Sequence, residues 1–103
     1  MSYTGEAAGG TPPTVVSTSP YTVLATDEIL LVTLAAAVIN LPAIADHNTG
    51  RVTVKDATGL ASSQNITVNA SAGETIDGLA TRKLVNNFQS FQLVGSGTNW
   101  SVV

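Results

Sequence analysis

The chain has one histidine, so a serine hydrolase site or an imidazole metal site would have to use His47. It lies in Asp46–Gly50, "DHNTG", where the turn residues predict an exposed loop. No serine has the G-x-S-x-G context of a hydrolase nucleophile. We therefore expect a solvated loop histidine without a catalytic role. A metal shared across the axis of a trimer, which would present His47 three times, stays open.

Glycoside hydrolysis is the other chemistry that the acidic residues could support, and it needs two facing carboxylates about 5 to 10 Å apart. Asp27 and Glu28 are adjacent, so on a strand they would face opposite ways. Glu74 and Asp77 flank one turn and could converge. We expect instead that Asp77, which Gly78 follows, caps its own turn through an Asx-type hydrogen bond. A glycan-cleaving enzyme with the pair Glu74 and Asp77 is the alternative, and full turnover by a Glu74→Gln variant would remove it.

Other ligand motifs are missing from the sequence. It has no cysteine and no D-x-D-x-D-G calcium loop, and "GRVTVKDATG" (Gly50–Gly59) lacks the lysine and serine of a phosphate loop. Four basic residues and a net charge of −3 do not fit nucleic-acid binding. The uncharged run Ile29–Ala45 contains Asn40 and Pro42, so we predict two buried strands there rather than a membrane span. We expect no enzyme, no cofactor and no metal, and no nucleic-acid or membrane partner.

Short apolar stretches alternate with turn residues along most of the chain, which is typical of all-β domains. Apolar and polar residues alternate from Arg51 to Lys55 and from Asn65 to Asn69, and "GSGTN" (Gly95–Asn99) has the glycines of a hairpin loop. Only Leu79–Leu84 has any helical character, and it is short. We predict an all-β fold, a small sandwich or barrel-like domain of about seven or eight short strands spanning residues 21–103.

Two segments fourteen residues apart share a pattern, a β-branched residue followed by Thr-Val and a glycine at the end: "VTVKDATG" (Val52–Gly59) and "ITVNASAG" (Ile66–Gly73). A solenoid needs at least three turns of its repeat, and a further shift of fourteen residues in either direction finds no third copy. We therefore predict two neighbouring strands, each followed by a small-residue turn, rather than a solenoid. Their polar faces should point outward or line a polar subunit seam.

The same alternation predicts which side chains form the core or a trimer interface. The set contains apolar residues of the predicted strands, including Leu34 at the end of the strand predicted for Ile29–Leu34, one turn residue and the single tryptophan. Its members are Leu34, Val52, Val54, Ile66, Val68, Ile76, Phe91, Leu93, Trp100 and Val102.

Residues 1–20 differ in composition from the rest, with "GG", "PP" and a Ser/Thr-rich run that has no apolar period. We predict a flexible or extended N-terminal arm that becomes ordered against a partner. The residues expected to attach are Tyr3, Thr11, Pro12, Pro13, Val15 and Val16. Charged residues form only 11% of the chain, against about 25% in an average soluble protein. Because the centres of subunit interfaces are depleted in charge, we expect self-association.

The ordered series "YTVLATDEIL", "LPA", "GRVTVKDATG", "NITV", "GETIDG" and "GTNWSVV", within Tyr21–Val103, resembles a module of tailed bacteriophages. That module recurs in tail fibres, head fibres and capsid decoration proteins. The shared positions are turn and core positions, and none is a catalytic signature. The resemblance implies an all-β domain that assembles as a homotrimer on the virion. Leu34 departs from the module, which usually has a polar residue there, so an exposed Leu34 would face a neighbouring subunit.

From the N-terminal arm, the low content of charged residues and the resemblance to the phage module, we expect a non-enzymatic virion structural protein. It would be a trimeric capsid decoration protein or a short head spike, fixed to the phage capsid through its N-terminal arm. Its partners would be further copies of the chain and the major capsid protein or another virion protein. The alternative is a receptor-binding or structural module of a tail fibre, which would bind a host-surface glycan through loops such as Asp46–Gly50.

Overall fold

The computed structural model describes residues 12–103 as two β-sheets and one short 3-10 turn, Ile44–Asp46. The ten strands in this range are β1 (Thr14–Val16), β2 (Tyr21–Thr22), β3 (Ile29–Val32), β4 (Val38–Asn40), β5 (Arg51–Asp56), β6 (Ile66–Asn69), β7 (Thr75–Ile76), β8 (Thr81–Leu84), β9 (Ser90–Ser96) and β10 (Asn99–Val102). The larger sheet has the order β1-β3-β5-β9-β10-β7, and the smaller sheet has the order β2-β4-β6-β8. The predicted all-β fold is confirmed. Strands β1, β7 and β8 were not predicted, because two are very short and the third carries two adjacent bases.

From β1 to β6, successive strands alternate between the two sheets, and every pairing among them is parallel. The chain therefore makes three turns, each of which adds one strand to each sheet. The exclusion of a solenoid-like path was wrong for this part of the chain. The turns begin at Thr14, Ile29 and Arg51, so their lengths are unequal and no fixed sequence period marks them.

The two similar segments, in β5 and β6, lie in different sheets. The prediction that they are neighbouring strands is wrong. Val52 and Val54 enter the core from the larger sheet, and Ile66 and Val68 enter it from the smaller sheet. Each sheet has one face on the core and one on the outside, so both strands need the same alternation. The polar faces of both strands point outward, as predicted.

The last third of the chain closes the two sheets with mostly antiparallel pairs. β9 pairs with β5 and β10, and β8 pairs with β6, all antiparallel. Ser96 is opposite Asn99, so the predicted hairpin has a two-residue loop, and its Gly97 adopts a positive φ of 62°. β7 pairs in parallel with β10 at the edge of the larger sheet.

Most of the residues predicted for the core are buried between the sheets. The fully or nearly fully buried ones are Val52, Val54, Ile66, Val68, Ile76, Phe91, Leu93 and Trp100. Val102 is half-buried and packs against the core. Leu34 is 38% exposed, because β3 ends at Val32 and Leu34 belongs to the bend that follows.

The uncharged run Ile29–Ala45 forms β3 and β4, which confirms the prediction of two buried strands. Leu30, Val32 and Ile39 have no exposed surface. Among residues 12–103, no helix has the length and apolar character needed to cross a membrane.

The folded part begins earlier than predicted. β1 pairs in parallel with β3, and Val16 is buried in the core. The predicted arm boundary at Pro20 is therefore wrong for Thr14–Pro20, since β1 is part of the larger sheet. A three-residue strand after two prolines is too short to show alternation, which is why the sequence did not reveal it.

Candidate functional site

His47 is a buried structural residue and not a solvated one, since only 7% of it is exposed. Its Nδ1 accepts a hydrogen bond from the Gly50 N–H at 3.0 Å, so the proton lies on Nε2, which donates to the Asp27 carbonyl at 2.6 Å. The ring also packs edge-on against Trp100, with centroids 6.1 Å apart. Both ring nitrogens are engaged inside the chain, so a metal on a trimer axis would have to displace one of these bonds.

Glu74 and Asp77 do not share a task. Both carboxylate oxygens of Glu74 accept from the Ile44 N–H, at 3.1 and 3.2 Å. Asp77 Oδ1 accepts from the Val102 N–H at 3.1 Å. Each acid therefore joins two distant parts of the chain, and neither has the solvated, facing partner that glycoside hydrolysis needs.

The turn at Asp77 is shaped by the backbone and not by its side chain. Asp77 and Gly78 have φ values of +48° and +83°, and Ile76 and Leu79 exchange backbone hydrogen bonds across them. Asp-Gly with two positive φ angles is typical of a type I′ turn. The predicted Asx-type bond is not formed, since the carboxylate is used by Val102 and lies 3.4 Å from Arg82.

Asp27 is buried, and its side chain links β1, β2 and the connection that follows β2. Its oxygens accept from Thr14 Oγ1 at 3.0 Å, Tyr21 Oη at 2.6 Å and the Leu24 N–H at 2.9 Å. Burial alone would raise the pKa of Asp27, but these hydrogen bonds outweigh it and hold the pKa below its usual value. Burial and the bond to Asp27 raise the pKa of Tyr21 to about 12.

Asp56 has no exposed surface and is the most heavily bonded acid of the described residues. Its Oδ1 accepts from the N–H and Oγ1 of Thr58, and its Oδ2 accepts from the N–H groups of Ala61 and Phe88. Burial works against the charge, but the four hydrogen bonds outweigh it and lower the pKa of Asp56 to about 2. This carboxylate fixes the two connections that follow β5 and precede β9.

Four of the described side-chain carboxylates, those of Asp27, Asp56, Glu74 and Asp77, therefore accept hydrogen bonds from other parts of the chain. No group of three potential metal ligands and no pocket occurs in this range. The topology divides the connections between strands into two groups, one at each end of the fold.

The connections between strands lie at two opposite ends, because β1, β3 and β5 run one way and β2, β4 and β6 return. We call one the uncharged end, formed by connections 17–20, 33–37, 57–65 and 85–89. We call the other the acidic end, formed by connections 23–28, 41–50, 70–74, 77–80 and 97–98. Hydrogen bonds join connections within each end, such as Ser62 N–H to Asn87 Oδ1 and Asn48 N–H to the Ala25 carbonyl.

The charged residues divide unequally between the ends. Within residues 12–103, no connection at the uncharged end has an acidic or basic residue. The acidic end has all the described carboxylates except the buried Asp56, namely Asp27, Glu28, Asp46, Glu74 and Asp77. Lys55 in β5 and Lys83 in β8 are the charges that flank the uncharged end.

Large apolar side chains are exposed at the uncharged end. They are Leu34 (38%), Leu60 (44%), Val85 (46%) and Phe88 (60%). Apolar groups without charge, flanked by lysines, have the composition of a binding interface with an apolar centre and a polar rim. The uncharged end is therefore the candidate functional site.

Phe88 is held in a strained backbone conformation at this end. Its φ of +62° is rare for a bulky side chain and costs about 1–2 kcal/mol. The Asp56 carboxylate binds its N–H, and the Lys55 ammonium binds its carbonyl and lies 5.4 Å from the ring centroid. The ring rests on Gly59, where an added Cβ would come within 2.6 Å of Cζ. Such strain persists where the surroundings over-determine it, and it clusters at functional sites.

Replacing Phe88 by glycine is expected to leave the free energy of unfolding unchanged or to raise it by about 1 kcal/mol. Glycine adopts a positive φ without the Cβ penalty, and the lost ring is mostly exposed. Urea denaturation measures the effect. The control Phe91→Gly, at a buried position of β9, should lose about 4 kcal/mol. A comparable loss for Phe88→Gly would show that its ring supports the core.

The sequence alone did not predict that Leu60, Val85 and Phe88 are surface residues of one site. A signal was present, because charged and uncharged connections alternate along the first two-thirds of the chain. That alternation has meaning only once the parallel winding is known.

The structure separates the residues predicted for attachment. Val16 is buried in the core, and Val15 is 61% exposed on the edge strand β1. Pro12 and Pro13 are exposed where the described chain begins, and Tyr3 and Thr11 lie outside the described residues. Compared with known proteins, the chain matches no family model and no curated protein.

Proposed function

We propose that the chain is a non-enzymatic virion structural protein, a trimeric capsid decoration protein or short head spike attached through its N-terminal residues. The observation that carries the proposal is the uncharged end, an apolar surface suited to a protein partner. The resemblance of Tyr21–Val103 to a phage module supports the virion setting.

The use of the acidic residues also supports a structural role. Asp27, Asp56 and Glu74 are committed to hydrogen bonds that join separate segments of the fold. An acid that acts in catalysis needs access to substrate and a pKa suited to proton transfer. Asp56, with a pKa of about 2 and no exposed surface, has neither.

The position of β1 indicates which end of the fold would face the capsid. β1 starts at the acidic end, so the residues that precede Pro12 join the fold there. Attachment through them leaves the uncharged end, on the opposite side, available for a different contact. Three copies would present three attachment segments, and multivalency would turn weak contacts into firm binding.

Removing residues 1–11 is expected to abolish binding to capsids that lack the protein and to shift the melting temperature by no more than about 3 °C. Every strand of residues 12–103 remains in that variant. Co-sedimentation with capsids and thermal unfolding measure the two effects. Removing residues 1–20 is not an equivalent test, because it deletes β1 and the buried Val16 and should destabilise the fold by several kcal/mol. Undiminished capsid binding by residues 12–103 would contradict attachment through the N-terminal residues.

A tail-fibre module that binds a host glycan is the second candidate, and one observation favours it. The exposed Phe88 ring belongs to the same end as Asn86, Asn87 and Ser62, whose amides and hydroxyl are groups that can bind sugar hydroxyls. The site would be the uncharged end and not the loop Asp46–Gly50, where His47 is buried. Binding of the full chain to host cells, lost on Phe88→Gly, would support this candidate over the first.

A further inference from the structure

We propose that the uncharged end is the surface through which copies of this chain contact one another. The inference rests on the trimer in the proposed function and names the surface that forms it. Its partner is a second copy of the chain.

The distribution of charge favours the uncharged end, over the acidic end, for contact with a second copy. Identical copies have identical charges, so a contact between acidic ends would bring Glu28, Asp46, Glu74 and Asp77 against their counterparts. Like charges at close range oppose association. A contact that covers the uncharged end adds no such repulsion from this end, because its described connections have no charged residue. It also keeps the acidic ends of the copies apart.

The smaller sheet is a poorer candidate for this contact. Across its outer face, Thr22, Asn40, Asn69 and Thr81 lie in one register row. Asn69 donates to Asn40 at 3.1 Å and accepts from Thr81 at 2.8 Å. This row already satisfies much of its own hydrogen bonding and offers no apolar side chain to bury.

The larger sheet extends the uncharged end instead of competing with it. On its outer face, Val15 of β1 lies beside Leu31 of β3, which lies beside Lys55 of β5. Val15 is 61% exposed, and Lys55 reaches Phe88. Val15 and Leu31 thus form an apolar strip that ends at Lys55, beside Phe88, so the outer face of the larger sheet offers a second neighbouring copy a surface next to the uncharged end.

Phe88 is suited to be the anchor of this contact. Aromatic side chains held rigidly at the centre of an interface carry much of its binding energy. Here Asp56, Lys55 and Gly59 fix both the backbone and the ring before any partner arrives. A ring that is already ordered loses less entropy on binding, which favours association.

A trimer with closed threefold symmetry uses two different patches on each copy. The uncharged end and the adjoining strip on the larger sheet provide two such patches. In this arrangement β1 of each copy begins at the acidic end.

The test compares charged substitutions at the two ends by sedimentation equilibrium at micromolar concentration. Leu34→Glu and Leu60→Glu place a carboxylate in the uncharged end. Leu24→Glu and Leu79→Glu are matched controls, because both leucines are exposed at the acidic end (58% and 54%). Phe88→Gly adds an uncharged variant that keeps the fold. Circular dichroism and thermal unfolding establish that each variant is folded.

We expect the wild type and both controls to be trimers. For the three uncharged-end variants, the concentration at which half of the trimer has dissociated should be at least tenfold higher than for the wild type. Folded uncharged-end variants that remain trimers would overturn the inference and leave the proposed function standing. Dissociation of the controls to the same extent would also overturn it. If the uncharged-end variants remain trimers but lose binding to capsids or host cells, the inference is overturned and the uncharged end binds that partner instead. A monomeric wild type would instead overturn the trimer in the proposed function.

Discussion

Replacing Trp100 by alanine is expected to lower the free energy of unfolding by about 4 kcal/mol, a large share of the 5–15 kcal/mol typical of a domain. Trp100 is fully buried in β10. Its ring packs edge-on against His47, and an added Cβ at Gly95 would come within 3.2 Å of its Cε3. Alanine would leave a cavity where β10 meets the loop of His47. Urea denaturation measures the loss.

Trp100→Phe is the matched control. Trp100 Nε1 is buried without a hydrogen-bond acceptor among the described residues, so phenylalanine removes an unsatisfied donor along with some volume. We expect it to cost less than half as much as alanine. Equal losses for the two variants would show that the indole N–H contributes a hydrogen bond in the native protein.

Replacing Asp56 by asparagine is expected to lower the free energy of unfolding by about 3 kcal/mol. The substitution keeps the shape but replaces a charged acceptor with an amide whose NH₂ group must face the N–H donors of Thr58, Ala61 or Phe88. Asp46→Asn makes the same charge change at an exposed site and should shift stability by about 0.5 kcal/mol or less. Similar losses in both would mean that net charge, and not the buried bonds, determines the effect.

The same residue predicts how stability depends on pH. The pKa of Asp56 is about 2 in the folded chain and about 3.9 for an unfolded aspartate, so the folded state favours the charged form. Its contribution of about 3 kcal/mol is present above about pH 5 and is lost as the pH falls toward 2. Asp27, whose pKa is also lowered, acts in the same direction. The difference in stability between wild type and Asp56→Asn should therefore shrink from pH 7 to pH 2. A constant difference would contradict the pKa of Asp56.

Local patterns in the sequence predicted the burial of side chains well. Alternation in β5, β6 and β9 placed Val52, Val54, Val68, Phe91 and Leu93 in the core, and all of them are there. This works because a strand with one face on the core must alternate, whatever its neighbours are. The hairpin between β9 and β10 could also be predicted from the sequence, since Gly97 meets a local requirement for a positive φ.

Pairing between strands was not predictable in the same way. β5 and β6 have similar sequences because both line the core, and nothing local distinguishes two strands in one sheet from two strands in opposite sheets. The parallel winding depends on contacts between segments such as β1 and β3, which no short window contains. The unequal turn lengths removed the period that would have revealed it.

The candidate site was hidden for two physical reasons. Asp56 is of a residue type that is usually exposed, and only the complete fold supplies the partners that let it be buried. Phe88 has a positive φ although its sequence context holds no glycine, because Asp56 and Lys55 enforce that conformation from β5. The uncharged end appears only when connections that are distant in sequence come together.

We propose that this chain acts by assembly with further copies of itself. Sedimentation equilibrium of the intact chain at micromolar concentration tests it most directly. A chain of 10.5 kDa that forms a trimer should have about three times that mass, and the mass should be the same across a tenfold range of concentration. A single species of 10.5 kDa throughout that range would contradict the account.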